Sequence, residues 1–514
     1  MTAHHKGLSR RALLLSAGVS AGALLIDPFG EALAKPHQRS DQLLEYDALG
    51  LAELIKTRQI SRTELVEIVI GRIDAMNPSL NFMTGKAFDR ARERAGSSAF
   101  AADSRLAGVP ILMKDLISIK GLPLTQGSKL FADYYPDKNV EYVNALEASG
   151  LNIIGQTNVP EMASFIMTSN ALFGTTHNPW DMDYSVFSSS GGSACAVAAG
   201  VVPMAHGTDG AGSNRLPASA TGTFGMKASR YRQLSGEADG SHDIAKTNQM
   251  ISRTVRDSAA ALDATEDKSG AHYKSIGFVT SPSVRRLKIG FVTSRDDDLL
   301  PVEPEVRDAQ IQTAQLLEDM GHQVREIAWP VDDHAMAENY LKFNASKTAP
   351  LVDIIRRKFG DKDLLELQLL TPLLASSLQS YSKYKAVDIA QGIINLNGLV
   401  SVFDAAFARV DVMLTPVSPV VCPRLNEHSY NDLWDEEIKN FILARLKFTS
   451  PTNFGGVPAM SVPLGRSASG LPIGSHLIAA RGNDQMLYEL AYELEEASPW
   501  KNVWPPNSLH YSMK

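Results

Sequence analysis

Three clusters of residues in this chain could do chemistry together. The first is Gly207-Thr-Asp-Gly-Ala-Gly-Ser213-Asn-Arg-Leu-Pro217, where a serine closes a run of bare backbone. Such a run can aim several amide N–H groups at one point beside a nucleophile. The second is Ser188-Ser189-Ser190-Gly191-Gly192-Ser193. The third is a lysine ending an apolar run, Gly108-Val-Pro-Ile-Leu-Met-Lys114, followed by Asp115. Serine is a weak nucleophile at its own pKa and needs an adjacent proton acceptor. Lysine can be that acceptor only when neutral near pH 7, which burial without a carboxylate partner achieves. Asp115 is adjacent, but side chains alternate along a strand and the two point apart.

Taken singly, each residue has a plainer reading. Lys114 could be a strand-end lysine reaching solvent, and Ser213 an ordinary turn residue. Asp209 reads as a loop brace that accepts backbone amides, and Arg215 as a brace of the same loop. His177 and His206 flank the motifs and raise the alternative of a serine–histidine pair. Glu161 could be a loop-bracing carboxylate. Met162, Phe165, Met167 and Phe187 are candidates for the substrate pocket, with core packing the equal alternative.

In order, the three clusters resemble the lysine, bridging serine and nucleophilic serine of the amidase signature family. The steps of 75 (114 to 189) and 24 (189 to 213) match that family's spacing. The resemblance spans about residues 45 to 505. It includes Gly155-Gln-Thr-Asn158-Val-Pro-Glu161-Met, His177-Asn-Pro-Trp180, Arg253-Thr-Val-Arg256-Asp257, Asn453-Phe-Gly-Gly456-Val-Pro458 and Leu471-Pro-Ile-Gly474. It implies that Ser213 is the nucleophile, Ser189 a bridging serine joined to residue 188 by a cis peptide, and Lys114 the distal base. The amides of Gly210, Ala211, Gly212 and Ser213 would form the oxyanion hole. The implied reaction is hydrolysis of small or aryl carboxamides through a serine acyl-enzyme, with ester or carbamate cleavage possible by the same route. No cofactor is required. The aryl-acylamidase and oligoamide-hydrolase subgroup is the nearest in pattern. Two alternatives stay open: an exported binding protein with a degraded catalytic loop, and an amidotransferase A-subunit-like protein.

The degraded-loop alternative has named residues behind it. Phe187-Ser188 stands where the family usually has Gly-Gly, and Gly210 replaces a usual Thr or Ile. Ala228-Ser229 and Tyr231 depart from the usual Pro-Thr and Gly. Asn214 stands where Ile or Val is expected, in a region expected to be buried, so it needs hydrogen-bond partners.

These residues must be positioned by a sizeable scaffold. The 514 residues, 44% hydrophobic and 21% charged, are enough for a large core. A formal charge of −7 gives no reason to expect nucleic acid or an anionic membrane as partner. The expected partner is a small-molecule amide, and the expected assembly a monomer or homodimer. Cys195 and Cys422 lack metal-ligand spacing; a disulfide between them stays possible, but Cys195 reads as a small buried hydrophobe.

Residues 1–34 resemble a twin-arginine export signal: Arg10-Arg11, an apolar stretch from Ala12 to Ile26, and Ala32-Leu33-Ala34 before Lys35. The alternative is an uncleaved tail. Removing the segment takes away three basic residues (Lys6, Arg10, Arg11) and two acidic ones (Asp27, Glu31), moving the charge from −7 to −8. The expected location is periplasmic or secreted, and no other segment is expected to span a membrane. Residues 35–514 then form a single amidase domain, with a catalytic core at about 100–260.

Periodicity predicts helices over Leu51–Asn77 (with a cap at Ser61), Ala87–Ala101, Val143–Ser149, Ala194–Ala199, Val306–Met320 and Leu487–Ala497. Strands are predicted at Val109–Met113, Leu151–Gly155, Leu287–Thr293, Val412–Pro416 and Ala459–Pro463. The small-residue run after Gly191-Gly192 predicts a helix packed very closely on a sheet. Residues 335–409 read as a helical excursion, with a turn signal at Asn397-Gly398. The alternation gives an α/β fold; the resemblance makes it an α/β/α sandwich around one large twisted, mixed sheet.

Overall fold

The computed structural model describes residues 42–97, 100, 104–292 and 301–512. The predicted export signal lies outside the described residues. Thirteen strands form in chain order: β1 (Met83–Lys86), β2 (Pro110–Lys114), β3 (Asn152–Thr157), β4 (Ser169–Asn170), β5 (Gly174–Thr175), β6 (Met204–Asp209), β7 (Phe224–Lys227), β8 (Thr247–Ser252), β9 (Lys288–Phe291), β10 (Gln323–Glu326), β11 (Val412–Pro416), β12 (Ala459–Arg466) and β13 (Pro472–Ala479). Eleven make one sheet in the order β1-β3-β2-β6-β8-β7-β12-β13-β11-β9-β10, and β4 and β5 pair separately. The sheet is mixed. β3, β2 and β6 run parallel, β6 through β11 pair antiparallel, and β11, β9 and β10 are parallel again.

Both faces of this sheet are covered. Val412 and Leu414 pack with Tyr488 and Leu494 on one side, while Met413 between them packs with Phe403 and Phe454 on the other. Leu477 and Ile478 divide in the same way. Alternation along a strand makes this unavoidable once apolar residues occupy successive positions.

Most predicted elements form near their predicted bounds. The first predicted helix is two, Ala48–Lys56 and Arg62–Leu80, divided where Ser61 caps the second by accepting from the Glu64 amide at 3.0 Å. β6, β7, β8 and β13 carry functional or framing residues and were not assigned from the sequence. They mix glycine and polar residues with apolar ones, which hides any period of two.

Six helices frame the site: α1 (Gly191–Ala198), α2 (Arg215–Thr221), α3 (Asp333–Phe359), α4 (Pro372–Tyr381), α5 (Ala386–Phe407) and α6 (Glu436–Arg445). The excursion between β10 and β11 is α3, α4 and α5. Asn397-Gly398 does not break it: α5 runs through both, and each is exposed. By length and composition α5 could cross a membrane, contrary to expectation, with a mean hydropathy of 1.4 over its apolar window. Its Leu396, Leu399 and Phe403 pack into the core under α3.

Every residue of α1 is buried, and the close packing expected of its small residues is real. A Cβ on Gly192 would sit 2.5 Å from the Asn158 nitrogen and 2.6 Å from the Phe82 carbonyl oxygen. These are backbone atoms and cannot swing aside. Gly192→Ala should therefore destabilise the protein by about 1–3 kcal/mol or more. Gly71→Ala, where an added Cβ meets nothing within 4 Å, should be neutral or stabilising. Thermal melts of the two variants check this.

Candidate active site

β2 ends at Lys114, and the fold removes that lysine from water completely. Its Nζ lies 2.7 Å from Ser189 Oγ, 2.9 Å from Ser190 Oγ, 2.8 Å from Thr208 Oγ1 and 3.3 Å from the Thr208 carbonyl oxygen. Desolvation holds its pKa well below the ordinary lysine value, and the positive charge of Lys246 adds to this while Asp209 opposes it. Asp115 points the other way, accepting from the Thr125 amide at 3.0 Å, and burial raises its carboxyl to about 6.

Ser189 follows a cis peptide bond from Ser188, at the entry to α1. Phe187 takes a left-handed φ of +55°, the region where glycine would be unstrained. It is held there by its amide on Ser185 Oγ (2.9 Å) and its carbonyl under Thr168 Oγ1 (2.8 Å). The Ser188 hydroxyl donates to the Phe165 carbonyl.

The Ser213 loop connects β6 to α2. Ser213 is half-buried and lines the same cavity as Ser189. The Ser190 amide donates to the Ser213 carbonyl at 3.2 Å, which ties the two serine segments together. Gly212 has φ +125°, and a Cβ there would meet Thr449 Oγ1 at 2.4 Å. Its amide donates to Asp209 Oδ1 at 2.8 Å. This corrects the expected oxyanion set: an N–H already committed to a carboxylate cannot also serve an oxyanion. The amides of Gly210, Ala211 and Ser213 have no hydrogen-bond acceptor among the described residues.

Asp209 and Arg215 are fully buried and pair through two bonds of 2.8 Å, Nε to Oδ2 and Nη2 to Oδ1. The guanidinium also donates to Thr452 Oγ1, Asn453 Oδ1 and the Thr449 carbonyl, and contacts His476 Nε2 at 2.9 Å. Asn453 returns two bonds to Asp209. Arg215 holds the Asp209 carboxyl well below the usual carboxylate range. Asp209 and Arg215 thus have the bracing contacts foreseen for them. Glu161 braces too, taking Ser128 Oγ at 2.6 Å and the Thr371 amide and hydroxyl that begin α4.

The serine–histidine alternative finds no geometry. His206 contacts Asn248 Oδ1 at 3.2 Å and is held near 3 by burial, and His177 Nδ1 contacts the Met182 carbonyl. Cys195 and Cys422 are buried and unbonded. Among the described residues no cluster has the donors to hold a metal ion.

A cavity of about 360 Å³ opens onto Ser189 and Ser213. Met162 and Phe165 line it. Met167 and Phe187 do not: both turn inward and pack in the core with Ala211 and Leu216. The far wall comes from the excursion, α6 and the segment just before α6, through Tyr340, Phe343, Asn344, Tyr381, Trp434 and Ile442. Of these, Tyr340, Phe343 and Asn344, with Lys347, are spaced i, i+3, i+4, i+7, one face of α3. That stripe was legible in the sequence, but nothing there said what it faced.

A family model for amidases matches residues 64–488. The chain belongs to the amidase family. The Mycobacterium bovis protein AmiC is 34% identical over 470 residues, 91% of this chain and 98% of that one. A solved structure of 6-aminohexanoate cyclic dimer hydrolase with its substrate superposes with a TM-score of 0.80 at 29% identity, covering 90% of this chain and 99% of the other. A bacterial aryl acylamidase of the amidase signature family gives 0.79 at 27% identity, covering 91% and 98%. This amidase is an enzyme that hydrolyses amide C–N bonds.

Removing one partner of a buried ion pair strands the other's charge. Arg215→Met should therefore destabilise the amidase by about 3–5 kcal/mol. Without Arg215, Asp209 should also favour protonated Lys114 and raise its pKa. Denaturant titration and NMR titration of the lysine check the two effects.

Proposed function

We propose that this amidase cleaves small or aryl carboxamides through an acyl-enzyme on Ser213, with Ser189 relaying the proton to Lys114. The observation that carries the reading is the 2.7 Å contact between a fully buried lysine amine and Ser189 Oγ. No carboxylate lies within ion-pair distance of that amine among the described residues. Ser213 Oγ attacks the carbonyl carbon, and its proton passes through Ser189 to Lys114. The oxyanion is received by free amides of Gly210, Ala211 and Ser213. As the C–N bond breaks, Lys114 returns the proton through Ser189 to the leaving amine. Water then attacks the acyl-enzyme by the same relay and releases the acid.

The substrate class rests on the cavity, where aromatic and aliphatic side chains such as Phe165, Tyr340, Phe343 and Trp434 share the walls with Ser, Thr and a few charged residues. The names of the two structural relatives agree with a flat or extended apolar amide. The degraded-loop alternative loses one of its two supports, because buried Asn214 has partners for both ends of its amide.

The test is hydrolysis of a chromogenic anilide. Ser213→Ala and Lys114→Ala should each lower kcat by at least about 10³-fold, with Ser189→Ala also strongly impaired. A fluorophosphonate should label the parent at Ser213. Activity requires neutral Lys114, so the rate should rise with pH through a midpoint well below the ordinary lysine value of 10.5. Full activity in Ser213→Ala would overturn the reading.

We also propose that residues 1–34 direct export by the twin-arginine route, releasing one catalytic unit from residue 35 onward. The support is Arg10-Arg11 and the small residues before Lys35. Replacing both arginines by lysine in a bacterial host should abolish periplasmic activity. Undiminished periplasmic activity would refute it.

A further inference from the structure

We propose that Asn214 is a positioning residue that aims the lone pair of Lys114 at Ser189 by orienting the Ser190 hydroxyl. The proposal rests on Lys114 being the base. A neutral lysine amine has two N–H donors and one lone pair. To take a proton from Ser189, the lone pair must face that hydroxyl, so both N–H groups must find acceptors elsewhere. Three oxygens remain around Nζ: Ser190 Oγ at 2.9 Å, Thr208 Oγ1 at 2.8 Å and the Thr208 carbonyl at 3.3 Å. The carbonyl can only accept. The Ser190 hydroxyl could instead turn its own proton onto Nζ and compete with Ser189 for the lone pair.

Asn214 prevents that rotation. Its Oδ1 lies 3.1 Å from Ser190 Oγ and accepts the Ser190 proton. The Ser190 oxygen is then left to accept, both from Lys114 and from the Thr208 amide at 3.3 Å. The orientation of the Asn214 amide is itself determined. Its Nδ2 faces two backbone carbonyls, of Met226 and Gln249, each at 3.4 Å. Flipping the amide would set oxygen against both carbonyls and a donor against Ser190. Space for the arrangement comes from Gly207, where a Cβ would lie 2.1 Å from Asn214 Oδ1 and 2.8 Å from Ser190 Oγ. An aliphatic residue at 214 could fill the volume but could not accept the proton. The Thr208 carbonyl, 3.2 Å from Ser190 Oγ, is a second acceptor, so losing Asn214 should weaken the orientation rather than abolish it.

The titratable and charged groups near Lys114 are Asp209, Lys246 and His206. None of them hydrogen-bonds the Asn214 side chain, although Asp209 Oδ2 accepts from the Asn214 backbone amide at 3.3 Å. A neutral replacement of the side chain at 214 therefore leaves that charge balance in place.

The experiment is anilide hydrolysis by Asn214→Leu, Asn214→Asp, Ser190→Ala and the Asn214→Leu/Ser190→Ala double variant, beside Ser213→Ala and Lys114→Ala. Asn214→Leu should lower kcat about tenfold with KM little changed, and should have no further effect once Ser190 is alanine, since coupled residues are non-additive. Asn214→Asp keeps the acceptor and adds a negative charge, so its acidic limb should shift upward by about one pH unit. Parental kcat in Asn214→Leu, or a loss that simply adds to that of Ser190→Ala, would overturn the proposal. If Asn214→Leu does not fold, an unmoved limb in folded Asn214→Asp would overturn it. Activity retained in Ser213→Ala or Lys114→Ala would instead overturn the underlying mechanism.

Discussion

The buried pair between Asp209 and Arg215 is the constraint on which the rest of the site depends. It closes the Ser213 loop on itself, because the same carboxylate takes the amides of Gly212 and Asn214. It also fastens that loop to the segment around Thr449, Thr452 and Asn453, more than two hundred residues away. A buried pair of this kind is weak evidence for net stability, since desolvating two charges offsets much of their attraction. Its value here is geometric and electrostatic. Asp209 acts on Lys114 through its negative charge, and its field favours the protonated amine. Compensation by Arg215 is what allows the lysine to stay buried with hydroxyl and carbonyl neighbours alone.

Desolvation does the remaining work on Lys114. The amine ends a strand whose five residues are all buried, in the interior of an eleven-stranded sheet with cover on both faces. A lysine on an edge strand or an exposed helix would keep its charge, whatever serines stood near it. The large scaffold is therefore part of the chemistry: many buried residues hold one ionisable group away from water. The excursion contributes in the same sense. α3, α4 and the segment carrying Trp434 close a chamber over the serines, and shielding from water strengthens any dipole inside it.

Three of the departures from the family pattern have local physical accounts. Phe187 occupies left-handed backbone where glycine would be unstrained, yet it is fully buried and hydrogen-bonded at both ends of its peptide. Asn214 occupies a dry site, yet every polar atom of its side chain has a partner. Gly210, in place of a bulkier residue, leaves open space beside its own amide, with the nearest neighbouring atom 4.0 Å from a would-be Cβ.

By itself the sequence determined which residue types were available, in what order, and which of them must be buried. Lys114 at the end of an apolar run, the glycines around Ser189 and Ser213, and the small residues of α1 are local features with local physical meaning. They were readable because periodicity, turn chemistry and burial each act within a few residues. What the tertiary structure alone decided is pairwise geometry between distant segments. It placed Ser190 and Thr208 around Lys114, and it committed the Gly212 amide to Asp209. It turned Met167 and Phe187 into the core while Met162 and Phe165 faced the cavity. It also brought one face of α3 across a chamber to serines more than a hundred residues away. None of these follows from spacing along the chain, because a side chain's partner is set by how whole elements stack, and that depends on the packing of the entire sheet.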